Sequence, residues 1–456
     1  MKATSILISC CLALAIEGCG DSGGAGNGGA GGTTGTGGIG ATNGTGGTGA
    51  MGGDPGTPAL APLRAAPRYA VVSSDYSETT IAVLDEDFGI IDESWINSGT
   101  TFAELVATLS GDVVLPNRQA GDGSFTVIDR YFTDVVSRFY VPSGNLSGQV
   151  RTHGEVADYS SNPHDLIFVD ETSAWATRYE PNLDPNAAPE NGGTDLIEID
   201  PTTMELTGRR IDLSTLNTTG IVATGSGPVE VPVYARPSRG VRVGSILVVG
   251  LDGFSGAFDA VGPGMAAIVD LEDGSVEGLP LGEGLASCGN ATPVPGAPTK
   301  VMVACGGFAR PFGEEAQTRA SAGVVRIVID DEGARVERTW RATDDPDSAI
   351  AVQALVALDE ERVAAVDFGD FAAGIADALY LMNIETGEQH LLHESPSAFE
   401  IGFSAHDPDT ERLYVPDAGA NAVIELTIRE DGGTEVGSIS IAPGIGFPPR
   451  AVYRLD

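Results

Sequence analysis

His164, in Asn162-Pro163-His164-Asp165, is the polar residue best placed to do chemistry, because it opens the apolar run Leu166-Ile167-Phe168-Val169. An imidazole there could serve as a general base if a partner and a substrate came within hydrogen-bond reach. The sequence places no such partner beside it. His406-Asp407 has a similar setting, but Asp407-Pro408-Asp409 reads as a turn, and His153, His390 and His393 are scattered. No His-Glu-x-x-His spacing, no Gly-x-Ser-x-Gly elbow and no glycine loop between a strand and a helix is present. The chain therefore gives no positive signal for catalysis, for a metal or for a cofactor, and a structural or solvent role for the histidines is the plainer reading.

What would position such residues is a set of short strands. Arg412-Leu413-Tyr414-Val415-Pro416-Asp417 is followed by Asn421-Ala422-Val423-Ile424-Glu425-Leu426, two apolar runs joined by a turn. The same two-run phrase opens at Val71, Asp112, Ala176, Ile246, Val301 and Arg362, which makes seven. Hairpins such as Glu86-Asp87-Phe88-Gly89, Glu272-Asp273-Gly274 and Glu385-Thr386-Gly387 lead from a phrase into an outer strand, so their acids are turn formers rather than calcium ligands. A further strand precedes most phrases, as Ala354-Leu355-Val356-Ala357-Leu358 does. The first phrase lacks one, while Arg450 to Leu455 is a strand without a group of its own.

The phrase resembles the YVTN-type repeat. That resemblance implies an all-β fold, a seven-bladed β-propeller over residues 68–456 closed by the C-terminal strand, and it is specific for fold rather than chemistry. An array of β-sandwiches would leave the last strand unexplained.

Met1-Lys2 and the apolar stretch from Ile6 to Ile16 have the form of a secretion signal. Ile16-Glu17-Gly18-Cys19 resembles a bacterial lipobox, with Glu17 where that pattern usually holds a small or apolar residue. The resemblance implies a signal peptide at 1–18 and lipidation of Cys19; the alternative is an ordinary secretion signal with an incidental cysteine. Up to about Pro67 the composition is largely Gly, Thr, Ala and Asn, which cannot build a core. Residues 19–67 are thus expected to be the anchor cysteine and a disordered tether, with a root-mean-square span of about 35 to 42 Å. No later stretch approaches the ~20 apolar residues of a membrane helix. The implied address is the bacterial cell envelope, with a lipid anchor at the outer membrane or cell surface in preference to the inner membrane.

A net charge of −39 excludes nucleic acid as a natural partner, since a polyanion would be repelled. It fits a solvated, monomeric shell better than a cation site. Beyond Cys10, Cys11 and Cys19 the chain has only Cys288 and Cys305, which are equidistant from the turn Pro295-Gly296-Ala297-Pro298. Opposed strand positions would suit a disulfide in an oxidising compartment; the alternative is two buried thiols.

Function is expected on the face where the long loops converge. Loops between second and third strands swell at Tyr179 to Thr194, Gly250 to Gly264, Gly306 to Gly323 and Asp367 to Asp377, and the stretches Ser143 to Pro163 and Leu213 to Val231 are long as well. Phe254, Phe258, Phe308, Phe312, Phe368 and Phe371 recur in these loops, beside Arg310 and Arg319. Together with His164 they form the candidate binding face for a protein, peptide or glycan of the envelope. The competing reading has each Phe plugging its own loop. The alternative function is an envelope hydrolase or lactonase-like propeller with its site at the central channel.

Overall fold

Uncharged, largely apolar runs such as Tyr69–Ser74 and Thr79–Leu84 become strands buried at every position, whereas Gly333–Arg341 alternates between exposed and covered positions. The first kind lies inside a sheet that is packed on both sides; the second lies at its rim. The computed structural model describes residues 60–455 except 102–104, 154–158, 309–314, 345–351, 370–373, 430–431, 442–443 and 445. The proposed signal peptide, Cys19 and most of the tether fall outside the described residues, as do Arg310, Phe312 and Phe371.

Among the described residues there are seven four-stranded antiparallel sheets, numbered here in chain order, and one three-stranded sheet. In sheet 1 the strand Pro449–Arg454 lies beside Tyr69–Ser74, followed by Thr79–Leu84 and Ile90–Asn97. Val71 is opposite Val452 and Ala70 is opposite Tyr453, so the orphan strand of the sequence completes the group that lacked one. Apolar clusters join successive sheets face to face: Trp95 with Phe125 between sheets 1 and 2, Trp175 with Leu247 between 3 and 4, and Trp340 with Val363 between 5 and 6. Another joins Tyr69 and Val452 of sheet 1 to Tyr414 and Val423 of sheet 7.

Three sequence expectations are corrected. Packing reaches back beyond Arg68 at least to Leu60, the first described residue: Leu60 N donates to Gly144 O at 2.8 Å, and Trp95 Nε1 donates to Ala61 O at 3.0 Å. Gly144 has φ +69°, and a Cβ there would lie 2.1 Å from Leu60 O, so only glycine permits this approach. In sheet 2 the phrase at Asp112 supplies the first and second strands, Val113–Val114 and Ser124–Asp129, not the second and third. Finally, the two long stretches between groups are not loops throughout. Asn145–Arg151 is the outer strand of sheet 2, and Thr218–Thr224 with Gly227–Tyr234 forms a hairpin that pairs with Phe254–Ser255.

The first strands converge on one buried cation. Arg239 sits on Pro237–Val243 of sheet 4; its Nη1 donates to Leu115 O at 2.6 Å and its Nη2 to Tyr453 Oη at 3.2 Å. Asp165 Oδ1, on the first strand of sheet 3, lies 3.7 Å away, and the Phe403 ring, just before sheet 7, lies beneath the guanidinium at 5.3 Å. Asn117 extends the junction: its backbone N donates to Asp165 Oδ1 at 3.0 Å, and its Nδ2 donates to Gly240 O and Ala291 O at 3.2 and 2.8 Å. Six of the seven sheets thus meet within reach of Arg239, Asp165 and Asn117.

Asp165 is fully buried, and burial raises its carboxyl above the ordinary range against the pull of Arg239 and three backbone amides. Removing one member strands the other in a dry interior. Arg239→Ala is expected to lower unfolding free energy by about 3–5 kcal/mol in urea melts, with Arg239→Met recovering only the packing part. A loss under about 1 kcal/mol would mean that the junction does not hold the sheets.

Candidate functional site

Every sheet runs from its first strand outward in the same order, so equivalent connections emerge on one face. The first strands enter from that face, and the loops between second and third strands surround their entry points.

His164 lies just inside the entry of Pro163–Asp170, buried and stacked on Tyr179 with ring centroids 4.1 Å apart. Its Nδ1 is 3.0 Å from Ser238 Oγ, in a bond whose direction depends on the tautomer, while Nε2 has no hydrogen-bond partner among the described residues. Burial, with Arg130, Arg239 and Arg236 acting in the same sense, holds the imidazole pKa well below its usual value. His164 is neutral at pH 7.

Around it the ionisable groups bind one another. Tyr179 is hydrogen-bonded to Asp252, which also accepts from Ser287 Oγ at 3.0 Å and from the Gly289 amide. A Cβ at Gly289 would lie 2.5 Å from that carboxylate, so a side chain there would expel it. Arg236 pairs with Glu180, and its guanidinium stacks over Phe258 at 3.9 Å and over Tyr179 at 5.2 Å. Behind these, Arg178 makes a two-pronged pair with Asp195 at 2.7 and 2.6 Å.

Other buried acids clamp the connections between sheets. Asp129 accepts from Ser110 N and Oγ at 2.7 and 2.6 Å, and Asp377 accepts from the amides of Gly369, Phe399, Glu400 and Ile401. Asp417 receives His393 Nε2 at 2.7 Å and Ser395 Oγ at 2.9 Å. Serine and histidine both bind the carboxylate and not each other, so this trio lacks the nucleophile-to-base bond of a hydrolytic triad. His406 is also mostly buried, which pushes its pKa down to about 4.

The aromatic rim is not found as expected. Phe254 is 1% exposed and Phe258 7%; Phe254 packs on Phe258 at 5.6 Å and on Phe308 at 5.8 Å, while Phe368 packs on Phe399 at 5.9 Å. The loops curl inward because each needs an apolar plug of its own. Arg319 lies on the short helix Glu315–Ala320 and is partly buried. The structure brings His164, Phe254, Phe258 and Phe308 into one buried region linked through Arg236 and Tyr179.

The apolar side chains that do reach solvent on this face are others. Tyr76, Phe132, Leu183 and Ile375 are 38, 69, 56 and 45% exposed, and each lies between the second and third strands of its sheet. Tyr76 and Phe132 hold φ at +68° and +66°, a left-handed backbone that bulky residues rarely adopt. Arg450 lies over the Tyr76 ring at 4.7 Å. The sequence signal for these residues was faint, since nothing in it separates them from the other apolar residues of long or polar loops.

Cys288 and Cys305 are bonded, with Sγ atoms 2.07 Å apart. Their register differs by one from the expected symmetry: Asn290 is opposite Ala304, and Cys288 bridges to Leu251 of sheet 4. The bond therefore also fixes the connection between sheets 4 and 5.

No protein-family model matches the chain, and no curated protein is significantly similar to it in sequence. Among solved structures it is similar to a hypothetical selenium-binding protein from Sulfolobus tokodaii, with 13% identity, a TM-score of 0.53 and coverage of 88% of this chain and 96% of that one. A protein from Lactobacillus plantarum matches with 11% identity and a TM-score of 0.51, over 86% of this chain and 99% of its own. A candidate 6-phosphogluconolactonase from Bacteroides fragilis matches with 10% identity and a TM-score of 0.50, over 85% and 97%. Such likeness speaks for the fold, and with the radial set of four-stranded sheets it identifies a β-propeller.

The buried acids predict a pH signature. Burial lifts the Asp252 carboxyl from its ordinary 3.8 to about 6, so the fold favours its neutral form. The resulting stabilisation is complete below the ordinary value and is lost as pH rises through about 6. Asp252→Asn mimics the neutral acid. Its urea-melt stability relative to the parent should improve steadily between about pH 4 and 6.5 and then level off; a difference that stays constant over that range would contradict the raised value.

Proposed function

We propose that the chain is a seven-bladed propeller, closed by pairing of Pro449–Arg454 with Tyr69–Ser74, which is tethered by lipid at Cys19 to the bacterial cell envelope and binds a protein, peptide or glycan. The observation that carries the binding reading is the pair of strained aromatics, Tyr76 and Phe132, on the same face as Leu183 and Ile375. Left-handed backbone at a bulky residue costs about 1–3 kcal/mol and persists where the surroundings impose it, often at ligand clamps. Phe88 and Phe258 share that backbone but are buried, whereas at Tyr76 and Phe132 the rings reach solvent, where they add nothing to the core.

The interior fits the same reading. Asp165, Asp252, Arg236 and Arg239 are engaged with one another and with main-chain groups. The closed ring is supported by Arg239, whose contacts gather Tyr453 of sheet 1, Leu115 of sheet 2, Asp165 of sheet 3 and Phe403 beside sheet 7 around one guanidinium. The lipid anchor and its address rest on the sequence from Met1 to Cys19.

A second reading, a hydrolase or lactonase-like enzyme, draws on the neutral His164 with its unpartnered Nε2. The name of the Bacteroides fragilis neighbour points the same way at 10% identity. Hydrolysis of a sugar lactone that disappears in His164→Asn would favour this reading over the first.

For the binding reading, the tagged chain and its Phe132→Ser/Leu183→Ser variant are compared as baits in an envelope extract. Each truncation should cost about 1–2 kcal/mol of affinity, so capture should fall at least tenfold, while Leu391→Ser on an outer strand leaves it unchanged. Equal capture by all three baits would reject the face. Metabolic labelling with a fatty-acid analogue is expected to mark the parent and not Cys19→Ala, and label on both would exclude that anchor.

A further inference from the structure

The hairpin Thr218–Thr224/Gly227–Tyr234 stands outside the seven four-stranded sheets. Its strand Thr218–Thr224 pairs on one side only among the described residues, with Gly227–Tyr234, and its other side is a free edge.

Open edges invite pairing with another chain, and natural sheets blunt them with charges, prolines and bulges. The outer strands of the seven sheets do so throughout. Ile90–Asn97 carries Asp92 and Glu93, Glu205–Asp212 has four charged side chains, and Gly333–Arg341 has Arg335, Glu337, Arg338 and Arg341. Asn145–Arg151, Gln389–Glu394 and Gly432–Ile439 combine a charged residue with a bulge in their pairing, and Val276–Pro280 has Glu277 and a terminal proline. Thr218–Thr224, Thr-Thr-Gly-Ile-Val-Ala-Thr, has no charge, no proline and no bulge. It belongs to a charge-free stretch from Leu213 to Val229 in a chain of net charge −39. Even within the hairpin the contrast holds, because Gly227–Tyr234 guards its own side with Pro228, Glu230 and Pro232.

We propose that this edge pairs with the same edge of a second copy, antiparallel about a two-fold axis at Ile221. The strand is close to self-complementary. Thr218 would face Thr224 of the second copy, Thr219 would face Ala223, and Gly220 would face Val222, with no bulky side chain set against another except Ile221 against itself. Gly220 and Val222 are turned inward, where Gly220 sits against Ala260 and Val233, while Ile221 is 64% exposed. A two-fold contact of this kind is the commonest way for identical chains to associate. The neutral hairpin also lets two acidic bodies meet where like charge is lowest. With seven residues pairing per copy, main-chain hydrogen bonds supply most of the attraction, so the dimer is reversible.

The full chain is examined by sedimentation velocity over a concentration series, beside Ile221→Lys, Ile221→Glu and an equimolar mixture of the two. The parent should pass reversibly from monomer to dimer, and added salt should strengthen the dimer by screening the acidic bodies. Each single variant places like charges directly opposite and should weaken association by about tenfold or more, and the mixture should restore it. Circular dichroism confirms that each variant is folded, and Thr219→Glu serves if Ile221 proves intolerant. A parent that stays monomeric at every concentration, or single variants that dimerise as the parent does, would overturn the proposal.

Discussion

A single guanidinium at the centre sets the terms for the rest of this molecule. Arg239 enters from sheet 4 and reaches a carbonyl of sheet 2, a phenol of sheet 1, a carboxylate of sheet 3 and an aromatic ring beside sheet 7. Twisted four-stranded sheets packed face to face leave a gap where their first strands splay. Here that gap holds an ion pair bonded to main-chain groups rather than an apolar plug. Buried pairs of this kind add little net stability over a hydrophobic substitute, but they tolerate few alternative arrangements. In this chain the pair fixes which strand faces which.

The acidity of the sequence acquires a structural meaning from the same principle. Some of the acidic residues counted in the formal charge of −39 never meet solvent, Asp129, Asp165, Asp377 and Asp417 among them. Asp129, Asp377 and Asp417 take hydrogen bonds from amides and hydroxyls of the segments that lead from one sheet to the next, and so satisfy polar groups that a buried connection would otherwise leave stranded. The loops over the entry of the first strands are stiffened by these acids and by Phe254, Phe258 and Phe308 beneath them.

Much of the fold was legible because second and third strands are buried on both faces, which makes each an unbroken apolar run such as Leu413 to Val415. The lone C-terminal strand was legible for the same reason. The second group misled because its first strand is only Val113–Val114, after which Leu115 and Asn117 leave the ladder to meet Arg239 and Asp165. The hairpin from Thr218 passed for a loop because its Thr and Gly residues carry no apolar alternation strong enough to mark a strand. As for the site, His164 was found by its place at a strand entry, but its burial was not, since the Arg236 and Tyr179 that cover it are distant in sequence. Aromatic residues in long loops look alike whether they plug a loop or rim a pocket. Left-handed backbone occurs at both Phe132 and Phe258, and only exposure, 69% at the first and 7% at the second, tells the two apart.

Arg450 donates to the carbonyl of Ser74, 376 positions earlier in the chain. No nascent polypeptide that stops short of Arg454 can carry a complete first sheet, so that sheet waits for a strand made some 376 positions after its neighbour. Until then Tyr69–Ser74 shows a bare ladder of amides and carbonyls, and the closing strand must find it across the full length of the domain, a search slower than any hairpin in the molecule. During that interval the incomplete first sheet is the form that a chaperone would meet.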